Sequence, residues 1–205
     1  KTPEIINYDN SIIKKNINFF KKKGYTISDI KNIYKKTPEI IYQNIKDIND
    51  QFKKYIKLGF RESEIINITT ILPELLLINN NDIKDIINNL KEYGYSQEII
   101  ITIVKKIPEI IQEKYLKILK NKLNSLENLS FTKSEIVSIT YNNPYILLHS
   151  NNYILSSYKF YLSINKQKAK EIIIKEPILL GYSINNIKEK IDFYKKINVL
   201  EIVLD

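Results

Sequence analysis

The chain has 205 residues, 43% of them hydrophobic, and carries 32 Lys+Arg against 23 Asp+Glu for a formal net charge of +9. Cysteine is absent and His149 is the single histidine, which excludes a disulfide framework, a thiolate metal site and a cysteine nucleophile; no run of 18 apolar residues is present to span a membrane. The positive excess favours a polyanionic partner, although the abundance of Ile, Lys and Asn, residues that AT-rich codons supply, accounts for part of it.

The chain opens at Lys1-Thr2-Pro3, already inside a repeating pattern. Its six prolines are Pro3, Pro38, Pro73, Pro108, Pro144 and Pro177, spaced by 35, 35, 35, 36 and 33 residues. Gly24, Gly59 and Gly94 keep the same step, each 21 residues after a proline. A period of this size predicts stacked two-helix units.

In chain order, an amphipathic helix is predicted near 10–23, closing on Lys21-Lys22-Lys23-Gly24. A shorter helix follows over 28–37, entered by the capping residue Thr26 and stopped by Pro38, whose ring disfavours a helical residue before it. The next long helix falls near 44–58. The third unit shows the pattern best. Gly59-Phe60-Arg61-Glu62-Ser63-Glu64 opens it, and Ile65, Ile66, Ile68, Ile71 and Leu72 fall at helical spacing up to Pro73. Glu74-Leu75-Leu76-Leu77 forms a short apolar turn, and Asn79-Asn80-Asn81-Asp82 is a polar break able to cap a new helix. Ile83, Ile86, Ile87, Leu90 and Tyr93 mark that helix, and Gly94 ends it.

Short helices are predicted again over 97–107, 133–143 and 166–176, and long ones near 113–126, 151–163 and 184–197. Ser96 and Thr132 are the expected caps, and Thr132 with Glu135 has capping-box spacing. Counting 21 residues from Pro108 puts Leu129 in the glycine position of the fourth unit. Tyr25, Phe60 and Tyr95, which follow the glycines, are read as packing residues. The expected fold class is all-α: a right- or left-handed solenoid of about six ~35-residue repeats. Each repeat has two α-helices and a short 3₁₀ turn at the phase-locked proline, and residues 1–205 form a single domain. The first and last repeats are incomplete. Solenoid ends expose apolar faces unless capped, so further residues or a partner covering at least one end are expected, and any start codon and targeting peptide lie outside this segment.

The succession of Gly-aromatic, short helix, proline, aliphatic triplet, polar break and longer helix resembles the mitochondrial transcription termination factor family, mTERF. The segments carrying the resemblance most clearly run from Gly59-Phe60 to Gly94-Tyr95 and from Pro177-Ile-Leu-Leu-Gly through Asp192-Phe193-Tyr194. The resemblance implies a nucleic-acid-binding protein of mitochondria or plastids, acting in transcription termination, organelle gene expression, splicing or ribosome assembly. It also implies arginines in members that grip DNA, and this chain has only Arg61. Lysine neutralises phosphate but lacks the bidentate fork that reads guanine edges, so binding to the backbone of structured RNA fits the inventory best.

Two lysine ladders recur in phase. Lys35, Lys36, Lys105, Lys106 and Lys175 lie just before prolines; Lys21, Lys22, Lys57, Lys91, Lys195 and Lys196 lie near the ends of the long helices. With Arg61 these are the candidate nucleic-acid contacts, and both ladders also suit the negative end of a helix dipole. Tyr34, Tyr42 and Tyr158 are candidates for stacking on unpaired bases. The carboxylates Asp82 and Asp85 sit at a helix start, where they complement its dipole. His149 has no nucleophile or acid arranged around it, and no Walker loop, zinc-spaced ligands or dinucleotide fingerprint occurs. The expectation is therefore a non-enzyme with no cofactor. Its partner would be structured RNA or duplex DNA, with ribosomal proteins or other assembly subunits as further partners and a ribosome-component role within reach. Two alternatives stand beside it: a terminator on duplex DNA, and a protein–protein scaffold.

Overall fold

The computed structural model describes residues 10–78 and 81–197, the side chains of residues 81, 82 and 195 excepted. Pro3, Asn79, Asn80 and the last residues, 198–205, lie outside that range. The described chain is all helical: α1 (Asn10–Lys22), α2 (Ile27–Lys36), α3 (Ile45–Lys57), α4 (Glu62–Ile71), α5 (Asn81–Tyr93), α6 (Gln97–Lys106), α7 (Lys114–Glu127), α8 (Lys133–Asn142), α9 (Asn151–Ile164), α10 (Ala169–Lys175) and α11 (Ile184–Lys196). A 3₁₀ turn begins at each of Pro38, Pro73, Pro108, Pro144 and Pro177. The chain divides into two compact units, residues 1–119 and 120–205.

The short helices start where capping chemistry allows. Thr26 accepts from the Asp29 N–H at 3.1 Å while the Asp29 carboxylate accepts from the Thr26 N–H. Thr132 and Glu135 make the same reciprocal pair, and Ser96 accepts from Ile99. Two orphan donors are satisfied by each box. At α4 Glu64 supplies the carboxylate half, accepting from the Arg61 N–H at 3.0 Å. The tenth helix is shorter than the periodicity predicts and begins at Ala169. The Asn165 side chain accepts from the Gln167 and Lys168 N–H groups and holds that stretch as a turn instead.

The long helices α1, α3 and α5 end by reversing into the left-handed region. Gly24, Gly59 and Gly94 have φ of 96°, 94° and 118°. After each, an aromatic N–H bonds back to a carbonyl five residues earlier: Tyr25 to Phe20, Phe60 to Tyr55, Tyr95 to Leu90. This Schellman closure drops the aromatic ring onto its own helix end. Phe20 and Tyr25 meet edge to face at 5.1 Å, Tyr55 and Phe60 at 5.9 Å. All three post-glycine aromatics are buried, as their position predicted.

The fourth junction corrects the sequence reading. The left-handed residue is Ser130, φ 68°, not Leu129, and the buried aromatic is Phe131. The extra residue lies in α7, which has 14 residues where α1, α3 and α5 have 13. The longer helix displaces the cap, the aromatic and Pro144 together by one position.

Proline turns leave carbonyls that no helix ladder satisfies. The long helices answer with polar side chains in an otherwise apolar core. Asn16 donates to the Ile41 carbonyl at 2.6 Å and to Gln43, and Gln51 and Tyr55 both donate to Leu75. In the second unit the Lys122 ammonium donates to the His149 carbonyl and Tyr161 to Leu179. Asn16, Gln51 and Lys122 occupy one register position of successive long helices, with Ile86 at the repeat between. Lys122 is only 1% exposed. Removing its charge from water lowers its pKa from 10.5 to about 8. His149, stacked on Tyr153 at 5.0 Å, also has its pKa pushed down, by burial first and by Lys122 second.

Candidate nucleic-acid interface

The lysines before the prolines lie at the C-terminal ends of α2, α6 and α10, and Lys35, Lys36, Lys105, Lys106 and Lys175 are all exposed. Two of them already have partners. The Lys36 Nζ donates to the Ile71 carbonyl at 2.7 Å, and Asn32 donates to the Thr70 carbonyl beside it, so α2 caps the open end of α4. Lys175 pairs with Glu171 one turn earlier at 2.7 Å, both side chains well exposed. The residue after each proline in the first unit is a carboxylate, Glu39, Glu74 and Glu109. This edge therefore alternates charge.

The lysines at the long-helix ends are differently placed. Lys21 and Lys22 close α1, Lys57 closes α3 and Lys91 lies in the last turn of α5. All four are exposed, and they make no ion pair among the described residues. They face the negative end of each helix dipole, which holds a cation there without neutralising it. Lys196 is exposed on α11; the Lys195 side chain lies outside the described residues. Lys23, one residue further on, plays a packing part. It pairs with Glu62 at 3.0 Å and sits over the Phe52 ring.

Arg61 is held at the start of α4. Its Nη2 bonds the Glu64 carboxylate at 2.6 Å, which holds the guanidinium pKa up and the Glu64 carboxyl below the usual range. The guanidinium remains largely exposed on its outer side. Of the tyrosines considered for stacking, Tyr158 is buried in the core and Tyr34 is half-buried, its hydroxyl pKa raised by burial to about 12.

Sequence reasoning missed part of the basic surface. Lys46, Lys53 and Lys57 lie at i, i+7 and i+11 on α3 and are all exposed, with Lys54 beside them. Lys114 and Lys117 are exposed on α7. The signal was the position of these lysines opposite the apolar stripe of each long helix, which groups them on one solvent face. Lys53 is partly offset by Asp50 at 3.0 Å.

The second unit also has a groove of about 1040 Å³ between α9, α10 and α11, lined by Ile172, Leu179, Tyr182, Ile187, Phe193 and Tyr194 with Glu189 and Lys190 at its edge. Among the described residues no group of three His, Asp or Glu is placed to hold a metal, and no helix is long and apolar enough to cross a membrane.

Paired helices locked by a proline turn, repeated in phase and carrying exposed lysines at the long-helix ends, define a basic helical-repeat protein. The mTERF family model matches residues 1–84 and 75–203, and the chain belongs to the mTERF family. Members are nucleic-acid-binding regulators of organellar gene expression. No curated protein matches the chain.

Proposed function

We propose that this protein grips nucleic acid by its phosphate backbone, through lysines at the ends and on the outer faces of its long helices, and acts on structured RNA within an organelle. The supporting observation is the contrast between the two ladders. Lys21, Lys22, Lys57 and Lys91 are exposed with no carboxylate partner among the described residues, whereas Lys36 is committed to a helix cap and Lys175 to Glu171. An ammonium without a partner is free to displace the counterions of a phosphate. Arg61 is the only arginine and one of its nitrogens is held by Glu64, so the basic surface is almost wholly lysine, which has no fork for reading guanine edges. Backbone and shape recognition, the mode by which helical RNA is bound, follows from that inventory. A place among ribosomal RNA and proteins is the specific form of the reading.

Fluorescence anisotropy against a structured RNA hairpin and a duplex DNA of equal length, over a salt series, tests it. The reading expects the hairpin to be preferred and its affinity to fall steeply with salt. Preference for one duplex DNA sequence would instead favour a terminator on DNA.

A further inference from the structure

The last long helix leaves uncovered the stripe that an earlier one buries. Counted back from its closing Gly59, α3 buries Ile48, Gln51, Phe52 and Tyr55. They are covered by the elements that follow in the chain, the short helix α4 and the turn at Pro73, and Gln51 and Tyr55 both donate to the Leu75 carbonyl of that turn. Counted back in the same way from Asn198, the matching residues of α11 are Ile187, Lys190, Ile191 and Tyr194. None of the four is buried, and all four line the groove between α9, α10 and α11. The other wall of the groove repeats the contrast. Within the second unit Ile139 of α8 and Ile146 of the turn at Pro144 are fully buried, where α8 and its turn meet α10 and the turn at Pro177. Ile172 and Leu179 stand at the same distances from Pro177, yet both stay partly exposed and face the groove. The groove therefore has the walls of a repeat junction, with core positions on both sides and no short helix or proline turn laid on them among the described residues.

We propose that this groove is the seat of the chain's own residues 198–205, which close it as the first turn of a sixth short helix. The segment follows Ile197 directly and reads Asn-Val-Leu-Glu-Ile-Val-Leu-Asp, with five apolar residues of eight. It lies outside the described range, and its sequence keeps the register of the repeat. Asn198 is 21 residues after Pro177, the step that separates Pro3, Pro38 and Pro73 from Gly24, Gly59 and Gly94, and asparagine is the residue that replaces glycine at left-handed helix ends. Val199 takes the position of Tyr25, Phe60 and Tyr95, all buried. Leu204 takes the position of Ile30, Ile65 and Ile100, the first apolar residues that α2, α4 and α6 bury. The seat is also within reach, since Tyr194 on its wall is one helical turn from Ile197. Burying Val199 and Leu204 against Ile172, Ile187 and Tyr194 removes apolar surface from water on both partners, which is the force that stacks each repeat on the next.

Hydrogen exchange of the whole chain, read by mass spectrometry on its C-terminal peptides, tests the seat. No nucleic acid enters the measurement, so its outcome is independent of the reading above. The amides of residues 202–205 are expected to exchange about tenfold or more slowly than in an unstructured peptide. Leu204→Asp should abolish that protection and increase the fluorescence of added anilinonaphthalene sulfonate as the apolar groove opens. Ile187→Ser should release the same amides from the groove side, with the segment itself unaltered. Glu201→Gln, at the position of the exposed Glu62, should change nothing. Fast exchange throughout 198–205 in the parent overturns the proposal. Slow exchange that survives both Leu204→Asp and Ile187→Ser overturns it as well, because the segment is then held elsewhere. Protection that appears only at concentrations where light scattering finds a dimer assigns the groove to a second copy and overturns the intrachain seat.

Discussion

The Lys36 ammonium and the Ile71 carbonyl are 2.7 Å apart, one repeat from each other. A lysine that looks like a free surface cation in the sequence is therefore the C-terminal cap of the neighbouring short helix. The hydrogen bond joins α2 to α4, and a charged donor to a helix-end carbonyl contributes about 1 kcal/mol or somewhat more. Lys36→Ala is expected to lower stability by about 1 kcal/mol in urea unfolding. Its RNA affinity should stay within about twofold of the parent. A variant of unchanged stability and much weaker RNA binding would move Lys36 back among the contacts.

Ser130 sits in a backbone conformation that the three preceding junctions give to glycine. An L-residue there carries a strain of roughly 1–2 kcal/mol. Ser130→Gly should stabilise the protein by about 0.5–1 kcal/mol, read as a higher urea midpoint. At Gly59 the opposite change is expected to be costly for two reasons. A methyl group would meet the Gln97 side chain at 2.8 Å, and Gln97 caps α3 by donating to the Leu58 carbonyl. Gly94 has open space around it, so Gly94→Ala should cost only the backbone strain. Equal losses at Gly59 and Gly94 would show that the Gln97 contact adds nothing.

Lys122 makes alkaline stability rise before it falls. Its folded-state pKa of about 8 lies below the ordinary 10.5. The unfolded chain therefore binds the proton more tightly, and the penalty for burying the charge is complete below pH 8. It is relieved as pH rises from 8 toward 10.5. The tyrosines act in the other direction. Burial raises Tyr25 and Tyr55 far above 10, and Tyr34 and Tyr161 to about 12, so their contribution is present below pH 10 and is lost above it. Urea unfolding from pH 7 to pH 11 should show a maximum near pH 10. In Lys122→Met the rise from pH 8 should vanish while the fall above pH 10 remains. A rise that persists in that variant would assign it to another group.

Much of the fold was legible because its punctuation is chemical. Proline stops the short helices, and glycine followed by an aromatic closes the long ones, so those boundaries came from single residues. The fourth junction was misplaced because counting from Pro108 assumes α7 keeps the usual length, and one inserted helical residue moves the cap from Leu129 to Ser130. The polar positions inside the core were invisible for a different reason. Asn16, Gln51 and Lys122 answer carbonyls in or next to proline turns 24 to 27 residues away, and no local pattern encodes that demand. The two lysine ladders look alike in sequence. Only the position of the Ile71 carbonyl and of Glu171 separates cations that are occupied from cations that are free.

The central claim is that free lysines at the long-helix ends meet phosphate. The most direct measurement is the salt dependence of structured-RNA binding for the parent and for a variant carrying Lys21→Ala, Lys22→Ala, Lys57→Ala and Lys91→Ala, with folding checked by circular dichroism. Each phosphate contact contributes roughly 0.7–0.9 to the slope of log affinity against log salt. The account predicts a variant that keeps its helical spectrum, melts somewhat lower for the loss of four helix-end cations, and binds with a slope shallower by about 3. A variant that binds with the parent's affinity and slope would contradict it.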